Sequence, residues 1–284
     1  MKKSQWVLCA SIAGLLALAP GSGVSSAMED LTRMVREGQT TFDFRYRYEN
    51  VDQDGFKEDA DASTLRSRLT YTSADLNNFS FLVEADYVSV IGSERYNSTV
   101  NGKTQYPTVT DPDGFDLNQA LIRFKTDGVT ATLGRQRILH GSQRFVGGVG
   151  WRQNEQTYDG LRGEFSFGKR VHLDYSYVGN VNRVFGPDDG VQPGDWKSDT
   201  HLLRGTFDLH EKHKIVAVAY LMDFDNDNGP LNSNATYGLD YMGEIGPVGL
   251  KASVAQQTDY GESPLNYDAT YYLIEAKLSL PVVL

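Results

Sequence analysis

Residues 42–49 read Phe-Asp-Phe-Arg-Tyr-Arg-Tyr-Glu, a regular alternation of aromatic and charged side chains. Because successive side chains of a strand point to opposite faces, this stretch predicts a strand with one aromatic and one charged face. The aromatic face would enter the core of a soluble sandwich, or would contact lipid in a membrane barrel. The same period returns at 64–71 and 79–88, so the alternation describes a sheet and not a single strand.

Further candidate strands follow through the rest of the chain. Most of them are roughly 9 to 13 residues long, which is enough to cross a bilayer when tilted. Ordinary globular strands average about five or six residues, so strand length favours a membrane barrel. Together with the first three, these segments make twelve predicted strands. The nine further strands are predicted at about 115–126, 128–135, 154–167, 169–181, 198–208, 213–223, 235–245, 247–257 and 269–280.

The predicted connections alternate in length. Long connections at 50–62, 91–114, 136–153, 182–197, 224–234 and 258–268 are separated by tight ones, of which Asp127-Gly128 is a favoured hairpin turn. This alternation is typical of an outer-membrane barrel, which has short periplasmic turns and longer extracellular loops. A Greek-key sandwich would need long crossovers at both ends. We therefore predict an all-β protein, a transmembrane antiparallel up-and-down β-barrel with about twelve strands present.

The first residues resemble a secretory signal peptide, which we place at 1–27. Lys2 and Lys3 precede an apolar run from Trp6 to Ala19 that is too short to span a bilayer as a helix. We assign 28–40 to a short periplasmic leader and 41–284 to the barrel. Cys9 is the only cysteine, so the mature chain has no thiol chemistry. Without Lys2 and Lys3, 25 basic residues face 37 acidic ones, and this acidic balance argues against nucleic acid as a partner.

A second stretch, residues 133–160, stands out in this acidic chain. It contains four arginines, no lysine and only two acids, and glycines at 141, 147, 148 and 150 let its backbone turn tightly. We interpret it as a long loop that folds into a pore and carries guanidinium groups there. The alternative is an ordinary surface loop whose arginines pair with nearby acids. The four arginines are Arg135, Arg137, Arg144 and Arg152.

Basic residues also follow one strand parity, opposite the apolar side chains, and in a barrel they would face the lumen. Some would form structural pairs, since Arg66 and Arg68 can face Glu84 and Asp86 across a hairpin. An excess of cations on this face favours an anion-conducting interior, because rings of Arg and Lys select anions. Arg135 and its neighbour at 137 share instead the apolar parity, so we expect a bulge there or a position beyond the membrane. The inward-facing basic residues are Arg45, Arg47, Arg66, Arg68, Arg123, Lys125, Arg162, Arg204, Lys251 and Lys277.

Three segments of these regions together resemble the alginate export family of outer-membrane porins. They are Gly134-Arg-Gln-Arg137, Arg144-Phe-Val-Gly147 and Trp151-Arg-Gln-Asn-Glu-Gln-Thr-Tyr-Asp-Gly160. Residues 44–49, 64–69 and 116–120 look like strands of the same family, and the similarity covers about residues 40–280.

The resemblance implies a monomeric barrel in the outer membrane of a Gram-negative bacterium, reached after signal-peptide cleavage. It would pass an anionic oligo- or polysaccharide such as alginate through an arginine-lined constriction. Its other implied partners are outer-membrane lipid and the barrel-assembly machinery, and no cofactor is implied. The family motifs assign the pore role to Arg47, Arg66, Arg68, Arg135, Arg137, Arg144 and Arg152.

Family barrels have up to eighteen strands, whereas twelve are predicted here. Pro281 interrupts the last segment, and Leu284 is not the aromatic residue that usually closes such barrels. We therefore expect a C-terminally truncated member that lacks strands of a 16- to 18-stranded barrel and has two unpaired sheet edges.

Alternative functions have weaker support in the sequence. Besides polyuronate passage, a general anion-preferring uptake porin fits the same basic face. An outer-membrane lipid hydrolase would need a nucleophile and base, for which His140 near Ser142 is the sole suggestion. A soluble β-sandwich binding protein is the third class. Finally, Asp223, Asp225 and Asp227 resemble a calcium loop, although the glycine is one place late and no glutamate closes it.

Overall fold

The structure, a computed structural model, describes residues 22–279. One helix precedes a sheet of twelve strands, and a short 3-10 helix, Gly229–Asn232, lies in a connection. The elements are α1 (Ser22–Arg36), β1 (Gln39–Val51), β2 (Ala60–Thr72), β3 (Phe79–Val90), β4 (Gly114–Lys125), β5 (Val129–Gln136), β6 (Thr157–Phe167), β7 (Val171–Asn182), β8 (Asp195–His210), β9 (His213–Met222), β10 (Asn234–Ile245), β11 (Val248–Asp259) and β12 (Asp268–Leu278).

The twelve strands form one antiparallel meander in which each strand pairs with its neighbours in sequence. This order confirms the predicted up-and-down architecture and excludes the Greek-key sandwich. Long connections and tight turns alternate along the sheet, as the sequence predicted. The sheet is open in the described residues, with β1 and β12 at its two edges.

The two faces of the sheet differ in chemistry. Phe42 and Phe44 are each 66% exposed, whereas Arg66 is only 5% exposed. Burial of a large apolar side chain is worth roughly 1.5–3 kcal/mol, so such a face is stable against acyl chains and costly in water. The aromatic side chains therefore form the outer, lipid-facing surface, and the charged side chains point inward, as predicted.

Two apolar clusters hold the long connections against the inner face. In the first, Ile138 and Val146 from the connection after β5 pack against Val178, Leu202 and Tyr220 of the wall. In the second, Tyr96 and Val109 from the connection after β3 pack on Ala60 and Ala62 at the start of β2. These contacts fix the connections inside the curved sheet instead of leaving them in solvent.

The helix α1 packs against the tight-turn end of the sheet. Met34 is buried, and its carbonyl oxygen accepts a hydrogen bond of 2.9 Å from the backbone N–H of Ala74. The hydroxyl of Tyr71 donates to the carbonyl oxygen of Val35 at 2.5 Å. The helix begins at Ser22, inside the predicted signal segment, most of which lies outside the described residues. Between residues 22 and 279 no helix has the length and apolarity needed to cross a bilayer.

Candidate functional site

The connection between β5 and β6, residues 137–156, crosses the inner face of the sheet; we call it the inner loop. At one end the guanidinium of Arg47 on β1 donates to the carbonyl oxygen of Trp151 at 2.6 Å. At the other end the rings of Phe145 and Tyr271 on β12 meet edge to face, with 5.9 Å between centroids. The inner loop therefore contacts both edge strands of the sheet.

Gln153 fixes the tip of the inner loop to the wall. Its side chain is fully buried, and its amide nitrogen donates to the hydroxyl of Thr64 at 2.9 Å. Its backbone N–H donates to the carboxylate of Asp111 at 2.9 Å. Arg45 completes the clamp by donating to the side-chain oxygen of Gln153 at 3.1 Å and to the carbonyl oxygen of Gly150 at 2.9 Å.

Glu155 joins the loop to three arginines. Its carboxylate accepts a 3.0 Å hydrogen bond from Arg68 and another from Arg137, and Arg66 lies 3.8 Å away. Burial raises the pKa of Glu155, but the hydrogen bonds and charges of Arg137 and Arg68 outweigh it and leave the pKa below its usual range. The carboxylate is therefore ionised at neutral pH and holds the guanidinium groups in place.

Arg47 and Arg152 share two carboxylates. The guanidinium of Arg47 lies 2.6 Å from Glu49 and 3.3 Å from Asp111. That of Arg152 lies 3.0 Å from Glu49 and 3.7 Å from Asp111. Both arginines also lie over the ring of Trp151, at 5.0 and 4.1 Å from its centroid. Their charges are thus matched locally, and their planes are held by the indole.

The arginines of β2 are also paired. Arg66 lies 2.6 Å from the carboxylate of Asp43, and Arg68 makes a two-pronged contact with Asp86 at 2.6 and 2.7 Å. Glu84 of β3 accepts hydrogen bonds from Arg137 and from Asn118, the latter at 2.6 Å. Such bidentate contacts fix geometry as well as charge.

Arg135 reaches its partners through an irregular stretch of backbone. Gly134 just before it has a φ of +119°, and the β6–β7 ladder shifts register next to its partner Asp159. The guanidinium of Arg135 makes bonds of 2.8 and 3.0 Å to the carboxylate of Asp159, and Asp116 lies 4.0 Å away. The ladders of β5 with β4 and β6 keep a regular register through Arg135, so β5 itself has no bulge there, and the nearby register shift belongs to the β6–β7 ladder.

Six arginines and eight carboxylates around the inner loop form three neighbouring ion-pair clusters, which together we call the ion-pair network. Strand parity suggested an excess of cations, but the long connections bring Asp111 and Glu155 into the same region. Six of the seven predicted pore arginines thus have a carboxylate within 4.0 Å. The clusters are Arg66, Arg68 and Arg137 with Asp43, Glu84, Asp86 and Glu155; Arg47 and Arg152 with Glu49 and Asp111; and Arg135 with Asp116 and Asp159. Arg45 adjoins them through Gln153 and not through a carboxylate.

Arg144 is the exception among the predicted pore arginines. It is exposed, and its guanidinium lies 4.1 Å from the centroid of the Tyr271 ring. Within the part of the chain that the structure describes, it has no carboxylate within 4.0 Å. It lines a cavity of about 660 Å³ formed by the inner loop itself, together with Arg137 and Trp151. The guanidinium of Arg144 is therefore open to this cavity.

The residues suggested for hydrolysis do not form a catalytic pair. His140 is buried, with one ring nitrogen 3.1 Å from the hydroxyl of Tyr220 and the other 3.2 Å from the carboxylate of Asp174. Asp174 also accepts a hydrogen bond of 2.6 Å from Arg162. Both ring nitrogens are thus engaged with wall residues and neither with Ser142, and His140 serves to attach the inner loop to the wall.

The candidate calcium ligands do not converge. The carboxylate of Asp223 lies beside Gly261 and is 3.3 Å from the backbone nitrogen of Glu262, while that of Asp227 accepts from Asn226 at 2.7 Å. Among residues 22–279, no group of three His, Cys, Asp or Glu side chains has the arrangement of a metal site. The structure gives the calcium interpretation of Asp223, Asp225 and Asp227 no geometric support.

Three functional positions were not identified from the sequence alone. Arg45 appeared only as one of many inward-facing residues, and no sequence pattern singled out Asp111. Gln153 lies in the Trp151–Gly160 motif, and its position between two arginine-rich segments was the sole signal available.

A family model for alginate export matches residues 37–271 of the chain. A search of curated protein sequences found no match. Among solved structures, OccAB4 of Acinetobacter baumannii is similar with a TM-score of 0.64 and 13% identity, covering 85% of this chain and 64% of the other. OccD3 (OpdP) of Pseudomonas aeruginosa gives 0.59 and 16%, covering 86% and 54%.

OpdK of Pseudomonas aeruginosa, solved with vanillate, gives a TM-score of 0.65 and 12% identity, covering 87% of this chain and 65% of the other. The chain therefore spans less than two thirds of the length of each of these three structures. At such low identity the likeness shows the fold alone.

Proposed function

This chain belongs to the alginate export family of outer-membrane channel proteins, and from that premise we propose that it passes anionic sugars or polyuronates such as alginate through a cationic lumen. Members of the family are channels and not enzymes, which fits the engaged ring of His140. Its location is the outer membrane of a Gram-negative bacterium. A monomeric state and insertion by the barrel-assembly machinery are parts of the proposal.

The position of the inner loop carries this proposal. An aromatic outer face and a charged inner face are the two surfaces that a water-filled channel in lipid requires. The inner loop crosses the charged face from Arg47 on β1 to Tyr271 on β12, and so narrows the passage. A solute on this path meets the loop before it leaves the lumen.

A carboxylated sugar can cross such a lumen by exchanging water for guanidinium and ammonium contacts. Conduction requires contacts that are favourable enough for entry and weak enough for exit. Arg144, exposed above the Tyr271 ring, supplies one such contact. Arginine keeps its charge at any working pH, so the preference for anions would not depend on pH in the neutral range.

The proposal is tested with the protein extracted from outer membranes and inserted in planar bilayers under a potassium chloride gradient. We expect a reversal potential on the anion side, and a reduction of the chloride current by oligomers of guluronate or mannuronate. A cation-selective or non-selective channel whose current is insensitive to these oligomers would contradict the proposal.

A second candidate is uptake of small carboxylates. The solved OpdK structure contains vanillate, a monocarboxylate, and its fold is similar to that of this chain. The same bilayer recordings separate the candidates, because a small-carboxylate channel would respond to millimolar vanillate or glucuronate monomers and not to polymer. A polyuronate channel would be blocked by oligomers at lower concentration than by monomers.

A further inference from the structure

Six inward-facing cations lie outside the ion-pair network. Within the described range 22–279, none of them has a carboxylate within 4.0 Å, in contrast to the arginines around the inner loop. We call them the basic ring. Its members are Arg123, Lys125, Arg204, Lys214, Lys251 and Lys277.

The strand register places the basic ring on the inner face. Arg204 pairs across the ladder with Val218, whose outward neighbours Ala217 and Ala219 face away from the lumen. Lys214 and Lys251 are both register partners of Met242, one on each side of β10. They therefore point to the same side as the buried Val216 and Ala255, as successive inward positions of a strand must.

Five members of the basic ring lie toward the tight-turn end of the sheet, and Arg204, near the middle of β8, lines a cavity with Arg144 of the inner loop. Lys125 is the last residue of β4, Lys214 the second of β9, and Lys277 the last but one of β12. A cavity of about 830 Å³ at this end is lined by Lys214, Lys251 and Lys277. A second cavity of about 290 Å³ is lined by Arg123 and Lys125. In outer-membrane barrels the tight turns face the periplasm, so these five cations surround the periplasmic vestibule and Arg204 lies between it and the inner loop.

Carboxylates are present in this vestibule but do not match the cations. Glu275 is the register partner of Lys251, and Asp208 is the register partner of Lys214. Asp240 lies on β10 two residues before Met242, the register partner of both lysines, and so occupies the next inward position. Glu244 is 3.3 Å from Lys212 on the turn and so is already paired. Among the described residues, the six ring cations thus face Glu275 and Asp240, which have no cation within 4.0 Å, and Asp208, which lies 3.5 Å from His172. The six arginines of the ion-pair network instead face eight carboxylates.

We propose that the basic ring, and not the ion-pair network, gives the channel its preference for anions and binds carboxylate groups of the solute at the periplasmic mouth. This inference rests on the proposed function and assigns its selectivity to particular residues. The solute class is a sugar or short polymer with several carboxylates, since the ring cations lie on β4, β8, β9, β11 and β12 and can contact several charges in succession.

The physical reason is that a paired charge has a short-range field. An arginine that touches a carboxylate acts at a distance as a dipole, whereas an isolated ammonium acts as a full charge over about one Debye length, roughly 10 Å at 0.1 M salt. Lysine is a strongly hydrated point charge on a flexible stem, so its contacts with a carboxylate form and break readily. Weak and repeated contacts are those that transport requires.

The test compares two sets of variants in the full chain. The ring variant carries Arg204→Gln, Lys214→Gln and Lys251→Gln. The network variant carries Arg135→Gln with Asp159→Asn and Arg152→Gln with Glu49→Gln, so two cations are removed together with two of their partners. A charge-preserving variant, Lys214→Arg with Lys251→Arg, controls for side-chain changes in the vestibule. Heat-modifiable gel migration verifies that each variant is folded.

We expect the chloride-over-potassium permeability ratio of the ring variant to fall by about threefold or more at 0.1 M salt, while the network and charge-preserving variants stay within about 1.5-fold of the parent. A loss of anion preference in the network variant with no loss in the ring variant would overturn the inference and leave the proposed function intact. A parent channel without anion preference would instead contradict the proposed function itself.

Discussion

At the scale of single residues, the arginines of this protein divide by partner and not by sequence motif. Arg68, Arg137 and their neighbours touch carboxylates, whereas Arg144 lies on an aromatic ring. Removal of one member from a buried ion pair leaves an uncompensated charge and costs more than the pair contributes. A single arginine substitution in the network therefore changes stability as well as ion selectivity, whereas removal of both members of a pair leaves no unpaired charge.

Gln153 holds the tip of the inner loop, and its replacement by alanine should release that tip. The change removes the side-chain bonds to Thr64 and Arg45 and leaves buried polar groups unsatisfied. We expect a loss of roughly 2–4 kcal/mol in the free energy of unfolding, since each unsatisfied group costs about 1–3 kcal/mol. Open-channel current noise should also rise. Gln105→Ala, at an exposed loop position, is the matched control, and equal noise in both variants would contradict the clamp.

Glu155 gives the inner loop a dependence on acid pH. The pKa of Glu155 in the folded protein is below its usual value. Its contribution to the free energy of unfolding is therefore fully present at any pH above the usual pKa and is lost as the pH falls through the folded pKa. We expect the single-channel current to be constant from about pH 7 to about pH 5 and to change at lower pH, as the bonds to Arg68 and Arg137 weaken. In Glu155→Gln the acid transition attributable to this group should be absent. An identical pH profile in the variant would refute the assignment.

At the scale of the strand, the irregular stretch at the end of β5 positions Arg135. Gly134 has a φ of +119°, and a Cβ atom there would overlap the carbonyl oxygen of Ala120 on β4. Only glycine adopts this backbone conformation without strain.

We therefore expect Gly134→Ala to reduce the free energy of unfolding by about 1–3 kcal/mol, from strain at the unfavourable φ together with displacement of β4. Gly205→Ala is the control, because a Cβ on that β8 glycine would meet open space and its φ is ordinary. The temperature at which heat-modifiable gel migration is lost measures the stability of both variants. Equal temperatures would show that the strain at Gly134 is absorbed elsewhere.

At the scale of the whole molecule, the sheet separates lipid from water. Its outer face carries Phe42, Phe44, Tyr46 and Tyr48 at exposures near 60%, while its inner face carries the ion-pair network. The free-energy cost of a charge therefore depends on the face that receives it. Adjacent residues of one strand provide the sharpest comparison.

Val254 and Ser253 of β11 are such a pair, since Val254 faces outward and Ser253 inward. We expect Val254→Lys to lower the free energy of unfolding in lipid vesicles by about 2–4 kcal/mol, as for a charge on the lipid face near mid-membrane. Ser253→Lys, next to Asp240 in the register, should cost much less. Urea titration of vesicle-inserted protein measures the difference, and equal costs would contradict the assignment of the faces.

The strands were predictable because their signal is local. The sequence pattern placed all twelve strands, and the errors lie at strand ends, where the alternation is weak. For example, β2 begins at Ala60 and not at 64, because its first residues are small and pack under Tyr96. β8 begins at Asp195, three residues before the predicted start, where Trp196 packs against Phe224 in the connection between β9 and β10. Neither contact leaves a period-two pattern in the sequence.

The sequence by itself determined the meander, the aromatic outer face and the arginine-rich loop, because the side-chain period of two and the lengths of the connections are properties of neighbouring residues. Only the tertiary structure decided which cations are neutralised. Arg152 meets Glu49 across 103 positions of the chain, and Arg45 meets Gly150 across 105. Such contacts depend on how the long connections fold against the inner wall, and Coulomb energies depend on the resulting distances of a few ångströms, which no local pattern records.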